Sequence, residues 1–453
     1  MKILVCVKVI KGEINPFDEA ALECALGLSN DVTVISMGPK SCENVLKSLT
    51  RLGAKVILIS DNKFAGSDTL ATSYILSTAI KQTEYDLILC GRQSIDGDTA
   101  QVGPMLSQML GTSLITNALK LVINENMVIA DTRMGKETIA LPALVTVERG
   151  YVLRFPSIFS KVGDVKIVDN NVLKCDISRC GLSGSPTKVL EAFENERGKR
   201  KCKFISKEEL FPLVEELMKE NSVDIKEEYK GKKLKSVWAV GEEVIDKARE
   251  ISDEVIVIEK SEPQKIYEMA LKEKPRVILW NADLWGRKNA PIVAAMLNTG
   301  LCADCTKHET DGENLIMYRP AQGGNIMAKI KCETLPQMAT VRTKSQSSDI
   351  IISGGKGISD NLEKLYELAN RVGAEIGASR GLVDMNKVNY DKQIGLTGKT
   401  VSPKIYIAIG ISGAVHHTCA IEGAKTVIAI NPDKNARIFE YADFGIVCNI
   451  EDL

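Results

Sequence analysis

The chain has 453 residues, of which 44% are apolar and 26% charged, and its 58 basic and 59 acidic side chains nearly cancel. That length suits about three domains, and the balance is that of an ordinary globular protein. A net charge of −1 without a basic run excludes nucleic acid as an expected partner.

The first residues, MKILVCVKVIKGE, read as a strand and not as a signal peptide, because no small-residue cleavage site follows the apolar stretch. The run Ile405–Val415 is broken by Gly410 and Gly413 and is too short to cross a bilayer. A cytoplasmic protein with no membrane insertion is therefore expected. The 12 cysteines are scattered, which fits reduced thiols. Cys302-Ala-Asp-Cys305 has only His308 nearby, so no metal site is expected.

Short apolar runs predict strands at Ile3–Val7, Val32–Ile35, Val56–Ile59 and Leu87–Cys90, with amphipathic helices at Asp18–Leu28 and Cys42–Leu52 between them. This alternation points to a parallel α/β sheet. The strand at Leu87–Cys90 runs into Gly91-Arg-Gln-Ser-Ile-Asp-Gly-Asp-Thr-Ala-Gln-Val-Gly-Pro104, at the edge where such sheets bind ligands. Glycines 91, 97 and 103 let backbone approach closely. Thr99 and the amides of Gln101–Gly103 can donate to a phosphate at a helix start. Asp96 and Asp98 would repel phosphate, and suit capping or ribose hydroxyls. Phe64-Ala-Gly-Ser-Asp-Thr69 offers further polar contacts. Neither a P-loop nor a GxGxxG fingerprint is present.

Glu191–Lys235 is strongly charged around one helical segment, Lys207–Lys219, and reads as a solvated linker. Ser236–Val240 then begins a new strand, and a repeat emerges. Pro104, Met109, Leu110, Thr112 and Leu114 recur at a constant offset as Pro291, Met296, Leu297, Thr299 and Leu301. Leu141-Pro142 and Thr146-Val147 recur as Leu335-Pro336 and Thr340-Val341. The second copy replaces the glycine-rich loop with Asn281–Pro291, including Leu284 and Trp285, so only the first copy suits a nucleotide. Residues 346–453 have no counterpart. They read as a small doubly wound unit with strands at Asp349–Ser353, Ile405–Ile409, Thr426–Ile430 and Gly445–Cys448 and a helix near Asn361–Val372. Polar and glycine residues gather at its strand ends, as a large phosphate-bearing ligand requires. The expected domains are thus 1–190, a charged linker or arm at 191–234, 235–345, and 346–453.

These motifs resemble the electron-transfer flavoproteins over nearly the whole chain. Gly91–Pro104 with Asn15-Pro16 and Asp68–Thr72 is similar to the beta subunit. Arg319-Pro320 with Gly323-Gly324-Asn325, Ala339–Arg342, Ser379-Arg380, Gln393–Lys399, Gly410–His417 and Ala442–Gly445 is similar to the alpha subunit. The resemblance implies two related domains of the adenine-nucleotide α-hydrolase-like kind and a C-terminal Rossmann-like (DHS-like) domain that binds FAD. It implies an FAD site at Lys356, Ser379, Arg380, Gln393, Ile394, Gly395, Thr397, Gly398, Gly410, Ser412, Gly413, His417, Asn431 and Asp443. Thr397 would bond near flavin N5, and Arg380 would lie against the ring. His417 would sit at the pyrimidine edge, where a positive group favours reduced, anionic flavin. Ser412, Asn431 and Asp443 would hold the pyrophosphate and adenosine.

A second nucleotide, FAD or AMP, is implied at Cys6, Asn15, Gly38, Asp68, Thr72, Gly91, Ser94, Asp98, Thr99, Gln101, Val102 and Gly103. Leu173 falls where the family has its partner-recognition leucine, and Arg342–Ser348 where it has a hinge. The implied role is electron transfer between an acyl-CoA dehydrogenase-like flavoenzyme and another redox protein. A second FAD would add oxidation of NADH with electron bifurcation; AMP would mark a simple one-FAD carrier. A nucleotide-binding regulatory protein without redox use is the reading of another class. Lys356 stands where the family has arginine, losing a bidentate contact, and Leu396 where it has glutamine. The chain also ends soon after Asp443, where the family has a terminal helix.

Overall fold

The computed structural model describes residues 1–194, 199–219, 231–322, 326–343 and 348–453. These fall into two compact units, one drawn from Met1–Ala192, Tyr229–Gln322 and Ala328–Val341, the other from Phe193–Glu228, Gly323–Met327 and Arg342–Leu453.

The first unit carries both repeats. A 9-stranded sheet runs in the order Val165–Val168, Lys55–Ile59, Asp31–Met37, Lys2–Cys6, Leu87–Gly91, Ala143–Val147, Ser113–Asn124, Met127–Thr132 and Gly135–Ala140. Neighbours are parallel as far as Ser113–Asn124, and the last two strands are antiparallel. Successive residues feed opposite faces: Ile3 and Val5 enter one apolar cluster, Leu4 and Cys6 the other. A sheet covered on both faces reads as a continuous apolar run, which is why its parallel strands are visible in the sequence.

The second repeat forms a 5-stranded parallel sheet, ordered Ser252–Ile258, Leu234–Val240, Val277–Asn281, Gln337–Val341, Leu301–Cys305. Its last four strands reproduce the order of Lys2–Cys6, Leu87–Gly91, Ala143–Val147 and Ser113–Asn124, and Leu141-Pro142 and Leu335-Pro336 are both cis. The two repeats meet through matching helices. Met105 of the Val102–Leu110 helix shares a buried cluster with Ala290, Val293 and Ala294 of the Leu284–Leu297 helix. The antiparallel strands, and a separate 4-stranded sheet that includes Lys307–Thr310, Leu315–Ala321 and Ile326–Cys332, go beyond the purely parallel expectation.

The second unit holds a 6-stranded parallel sheet, ordered Lys203–Phe204, Phe444–Ile446, Thr426–Ile430, Ile405–Ile409, Ile350–Gly354, Glu375–Ala378. Its edge strand corrects the reading of 191–234 as solvated linker. Lys203–Phe204 pairs with Phe444–Gly445, and Phe204 lies 5.1 Å from the Phe439 ring. Helix Leu210–Lys219 buries Leu210 and Val214 against Ile350, Ile352 and Ile428. Such burial contributes ~1.5–3 kcal/mol per large apolar side chain. The abundant Lys and Glu occupy the outer face and mask this stripe in the composition.

Candidate functional sites

A cavity of ≈ 1240 Å³ opens where the Lys2–Cys6, Asp31–Met37, Lys55–Ile59 and Leu87–Gly91 strands end. Cys6, Asn15, Gly38, Asp68, Thr72, Gly91, Ser94, Thr99, Gln101, Val102 and Gly103 all line it; Asp98 does not. Its rim carries Lys8, held by Asp96 at 2.7 Å.

Several of these residues shape the cavity through bonds within the chain. Asn15 donates to the Gln93 carbonyl at 2.9 Å and accepts from the Ile95 amide at 3.3 Å. Asp98 is buried and accepts from the Gln93 amide at 2.9 Å, which explains its absence from the wall. Asp68 caps the Thr69–Ile80 helix through the Ala71 amide and also accepts from the Thr187 amide and hydroxyl. Gln101 bridges the Thr69 hydroxyl and the Leu301 carbonyl. Gly91 and Gly103 line the cavity and also let neighbouring elements pack closely. A Cβ at 91 would stand 2.2 Å from Asp18 Oδ1, and one at 103 would stand 2.4 Å from Thr146 Cγ2. The lack of a side chain there lets the Pro16–Leu28 helix and the Ala143–Val147 strand come close.

The walls are mostly neutral. Hydrogen bonding with Cys6, its partner in the parallel register, and burial hold the Cys90 thiol well above its ordinary pKa. Burial pushes Asp18 up to about 7, against the amides of Lys8 and Gly91 and the Asn15 side chain. One charged lining residue, Arg92, is paired at depth: its guanidinium reaches buried Glu148 at 2.5 Å, and Arg133 Nε lies 3.6 Å from the same oxygen. Sequence reading missed Asp18, Arg92 and Glu148, since each is an isolated charge in an ordinary context.

In the second repeat the corresponding space is closed. Ten residues (92–101) separate strand from helix in the first copy, but only two (282–283) in the second. Asp283 caps the helix through the Gly286 amide at 2.7 Å, and Trp285 stacks on Trp280 with centroids 5.7 Å apart.

In the second unit, the polar residues of the Ile350–Gly354, Glu375–Ala378, Ile405–Ile409 and Thr426–Ile430 strands gather at their carboxyl ends. Lys356 follows Gly354-Gly355, and Ser379 and Arg380 follow Ala378, where the Ser379 amide donates to Gly354 at 2.8 Å. Gly410, Ser412 and Gly413 follow Ile409, and Asn431 donates from Nδ2 to Ile411 at 3.0 Å. The Gln393–Lys399 loop is closed by the Lys399 amide on the Gln393 carbonyl, and Ile394 is tied to Ala378. Gly395 has φ +150, and a Cβ at Gly398 would stand 2.3 Å from the Gln393 carbonyl. Gln393 donates to Thr397 Oγ1 at 2.8 Å, which leaves the threonine hydroxyl proton free to donate outward. The buried Gln393 Oε1 has no hydrogen-bond partner among the described residues. Buried polar atoms of this kind are rarely left unmet, so this edge fits a polar cofactor. Arg342 Nη2 supports the loop at the Leu396 carbonyl, 3.1 Å away.

Three residues depart from expectation. Asp443 lies before its strand, at the amino edge of the sheet, where it accepts from the Val427 amide at 2.8 Å and pairs with Arg200. It is therefore apart from the other carboxyl-edge residues, and it fastens the 200–204 segment. Arg380 is folded onto Asp384 at 3.0 Å. His417 is neutral at neutral pH: burial pushes it down to about 4, and its Nε2 lies 2.8 Å from the Tyr406 hydroxyl. Gly323-Gly324-Asn325 and most of the expected hinge, 344–347, lie outside the described residues.

A pH dependence follows. His417 and, in the first unit, His308 are both held at about 4 by burial, whereas an unfolded imidazole titrates near ~6.5. Stability is full above the unfolded value and falls as pH drops from ~6.5 toward 4, by up to about 3 kcal/mol per histidine. Urea unfolding from pH 7 to 4.5 should show this acid limb, and His308→Leu or His417→Asn should flatten the share of its own unit.

Leu173 also needs correction, since its side chain is only 4% exposed and packs in the core with Ile75 and Ile80. A partner could not reach it without unpacking the domain. Exposed apolar side chains lie at Val152, Phe155, Ile158, Phe159 and Val162, with Phe155 96% and Phe159 86% exposed. Arg154 on Glu23 at 2.7 Å and Arg51 on the Ser157 carbonyl at 3.1 Å pin this loop while its apolar side chains stay in solvent.

Among the described residues, no helix is long and apolar enough to cross a membrane, and no group of three or more metal-ligating side chains occurs. The family model described as the electron transfer flavoprotein domain matches residues 3–167 and 230–360. The electron transfer flavoprotein FAD-binding domain matches 345–422. The chain is 40% identical over 229 residues to the electron transfer flavoprotein subunit alpha of Thermoanaerobacterium thermosaccharolyticum, covering 40% of this chain and 69% of that protein. It is 36% identical over 268 residues to Protein FixB of Clostridium saccharobutylicum, covering 47% and 80%. With the alpha subunit from Clostridium acetobutylicum it shares 37% over 235 residues, covering 41% and 70%.

Proposed function

The chain belongs to the electron transfer flavoprotein family, and on that premise we propose that it joins beta-like and alpha-like parts into one carrier with two flavin sites. FAD bound in the C-terminal domain supplies one- and two-electron chemistry. Thr397 would donate a hydrogen bond from its hydroxyl to the flavin, and Gln393, which donates to Thr397 Oγ1, would fix the orientation of that hydroxyl. Lys356 and the Gly410–Gly413 loop would hold the charged part of the cofactor, and Arg380 would lie against its ring once released from Asp384. His417 would meet the cofactor as a neutral imidazole held by the Tyr406 hydroxyl.

The observation that carries the second flavin is the size of the first-unit cavity. At ≈ 1240 Å³ it exceeds the ~300–1,000 Å³ of most small-molecule sites. It also continues from the Gln93–Gly103 loop to Asp169 and Val172. AMP would fill less of that volume than a dinucleotide would. On this reading a second FAD held by the first-unit cavity would supply the chemistry that takes hydride from NADH, with the electrons shared between two acceptors, one of them an acyl-CoA dehydrogenase-like flavoenzyme. The test is the nucleotide released by the purified protein. Two FAD per chain, with bleaching by anaerobic NADH, are expected; one FAD and one AMP would leave a simple carrier.

We place partner docking on the exposed 152–162 loop, because exposed apolar side chains gathered on one loop suit a protein contact. Converting Phe155, Ile158 and Phe159 to serine should slow electron exchange with the dehydrogenase by about tenfold or more. Flavin content should be unchanged. Stopped-flow reduction by the partner reads the effect, and an unaltered rate would remove the loop from the docking surface.

A further inference from the structure

We infer that the second repeat, which lacks a nucleotide loop of its own, acts as the clamp that keeps the first repeat's loop in its ligand-binding shape, with Arg319 as the positioning residue. The inference rests on the reading that the first-unit cavity holds a nucleotide.

Arg319 lies on the Leu315–Ala321 strand of the second repeat and is 5% exposed. Its guanidinium donates to the carbonyl of Gly97 at 2.6 Å and to that of Asp98 at 3.2 Å. These carbonyls belong to the segment that supplies Ser94, Gly97, Thr99, Ala100 and Gln101 to the cavity wall. The segment is held in a conformation that L-residues resist, since Asp98 has φ 51 and Ala100 has φ 54. Left-handed residues of this kind can turn backbone amides into an anion-binding concavity. A trans peptide also sets its N–H opposite its C=O. Fixing the Asp98 carbonyl on Arg319 therefore aims the Thr99 amide away from the guanidinium.

Two features make this more than ordinary packing. The bonds are charge-assisted and directed at consecutive carbonyls, which a rigid planar fork meets with two preorganised N–H groups and a flexible ammonium meets less well. A second tether reaches the same loop independently, from Gln101 Nε2 to the Leu301 carbonyl of the second repeat at 3.0 Å. The loop's middle and its helix-proximal end are thus both fastened to the second repeat.

The test uses the full chain and compares Arg319→Ala and Arg319→Lys with the unaltered protein. Hydrogen exchange across residues 94–101 and titration with FAD and with AMP are the readouts, with C-terminal flavin content as the internal control. In Arg319→Ala, amide exchange across the loop should rise and first-site affinity should fall, each about tenfold or more, while C-terminal flavin is retained. Arg319→Lys should lie between, and it decides the matter should the alanine variant fail to fold. Unchanged loop exchange and unchanged affinity in a folded variant would overturn the clamp while leaving the nucleotide reading intact. Faster loop exchange in Arg319→Ala, with neither FAD nor AMP bound at this site even by the unaltered chain, would support the clamp and overturn the nucleotide reading.

Discussion

Replacing Glu148 by alanine is expected to destabilise the first unit by about 3–5 kcal/mol, the usual consequence of removing one partner from a buried ion pair. Glu148 is fully buried, and the side chains of Arg92 and Arg133 are 4% and 6% exposed. Both guanidiniums share one carboxylate oxygen, so losing it leaves two buried cations without the group that compensates them. The local strands cannot easily admit water, because Val145 and Val147, next to Glu148, are wholly enclosed. Urea unfolding should show a lower midpoint with an unchanged slope, the signature of lost stability without a change of exposed area. Pairing the change with Arg92→Met should recover part of the loss, since an apolar replacement for a buried pair is often tolerated. A double variant as unstable as the sum of the singles would mean that the two groups do not interact.

Much of this fold was legible because parallel strands covered on both faces must be apolar throughout. Ile405–Ile409 and Thr426–Ile430 agree with expectation to the residue, as the Ile and Val that fill both layers leave no alternative. The Met127–Thr132 and Gly135–Ala140 strands were not legible. Their burial alternates, and Glu125, Asp131 and Lys136 break the pattern that marks a strand. The helix at Lys207–Lys219 was legible, but its burial was hidden for a related reason: two anchors, Leu210 and Val214, sit within a lysine- and glutamate-rich run.

At the sites, position along the strand decided what could be read. The loop after Leu87–Gly91 and the residues after Ile405–Ile409 stand at carboxyl ends, so chemistry and location agreed. Asp443 has suitable chemistry but lies at the amino edge, a distinction of a few residues that depends on where Phe444–Ile446 begins. Leu173 shows the same limit for exposure. A leucine in Asn170–Leu173 could face solvent or core, and only its packing against Ile75 and Ile80 decides. Arg319 could not be connected with Gly97 from sequence at all, because 222 residues separate them.

Gly413→Ala is expected to release FAD from the C-terminal domain and to cost about 2–5 kcal/mol, adding left-handed strain to a steric overlap. Gly413 has φ +84, and a Cβ there would stand 2.1 Å from the Ile438 nitrogen and 2.5 Å from the Arg437 carbonyl carbon. Both obstacles are backbone, so no rotamer change relieves them, and the Gly410–Ala414 turn must move. Asn431 is bonded to Ile411 within that turn at 3.0 Å, which carries the displacement into the group that gathers at the sheet's carboxyl edge. Gly373→Ala is the control. Gly373 has a similar φ of +66 at the end of the Leu362–Val372 helix, but nothing lies within 4 Å of its added Cβ. That variant bears the conformational strain alone, about 1–2 kcal/mol, and should keep its flavin. Visible flavin absorbance per chain, measured with urea unfolding, separates the two effects. Full flavin content in Gly413→Ala, at the stability of Gly373→Ala, would show that this turn yields without disturbing the cofactor site.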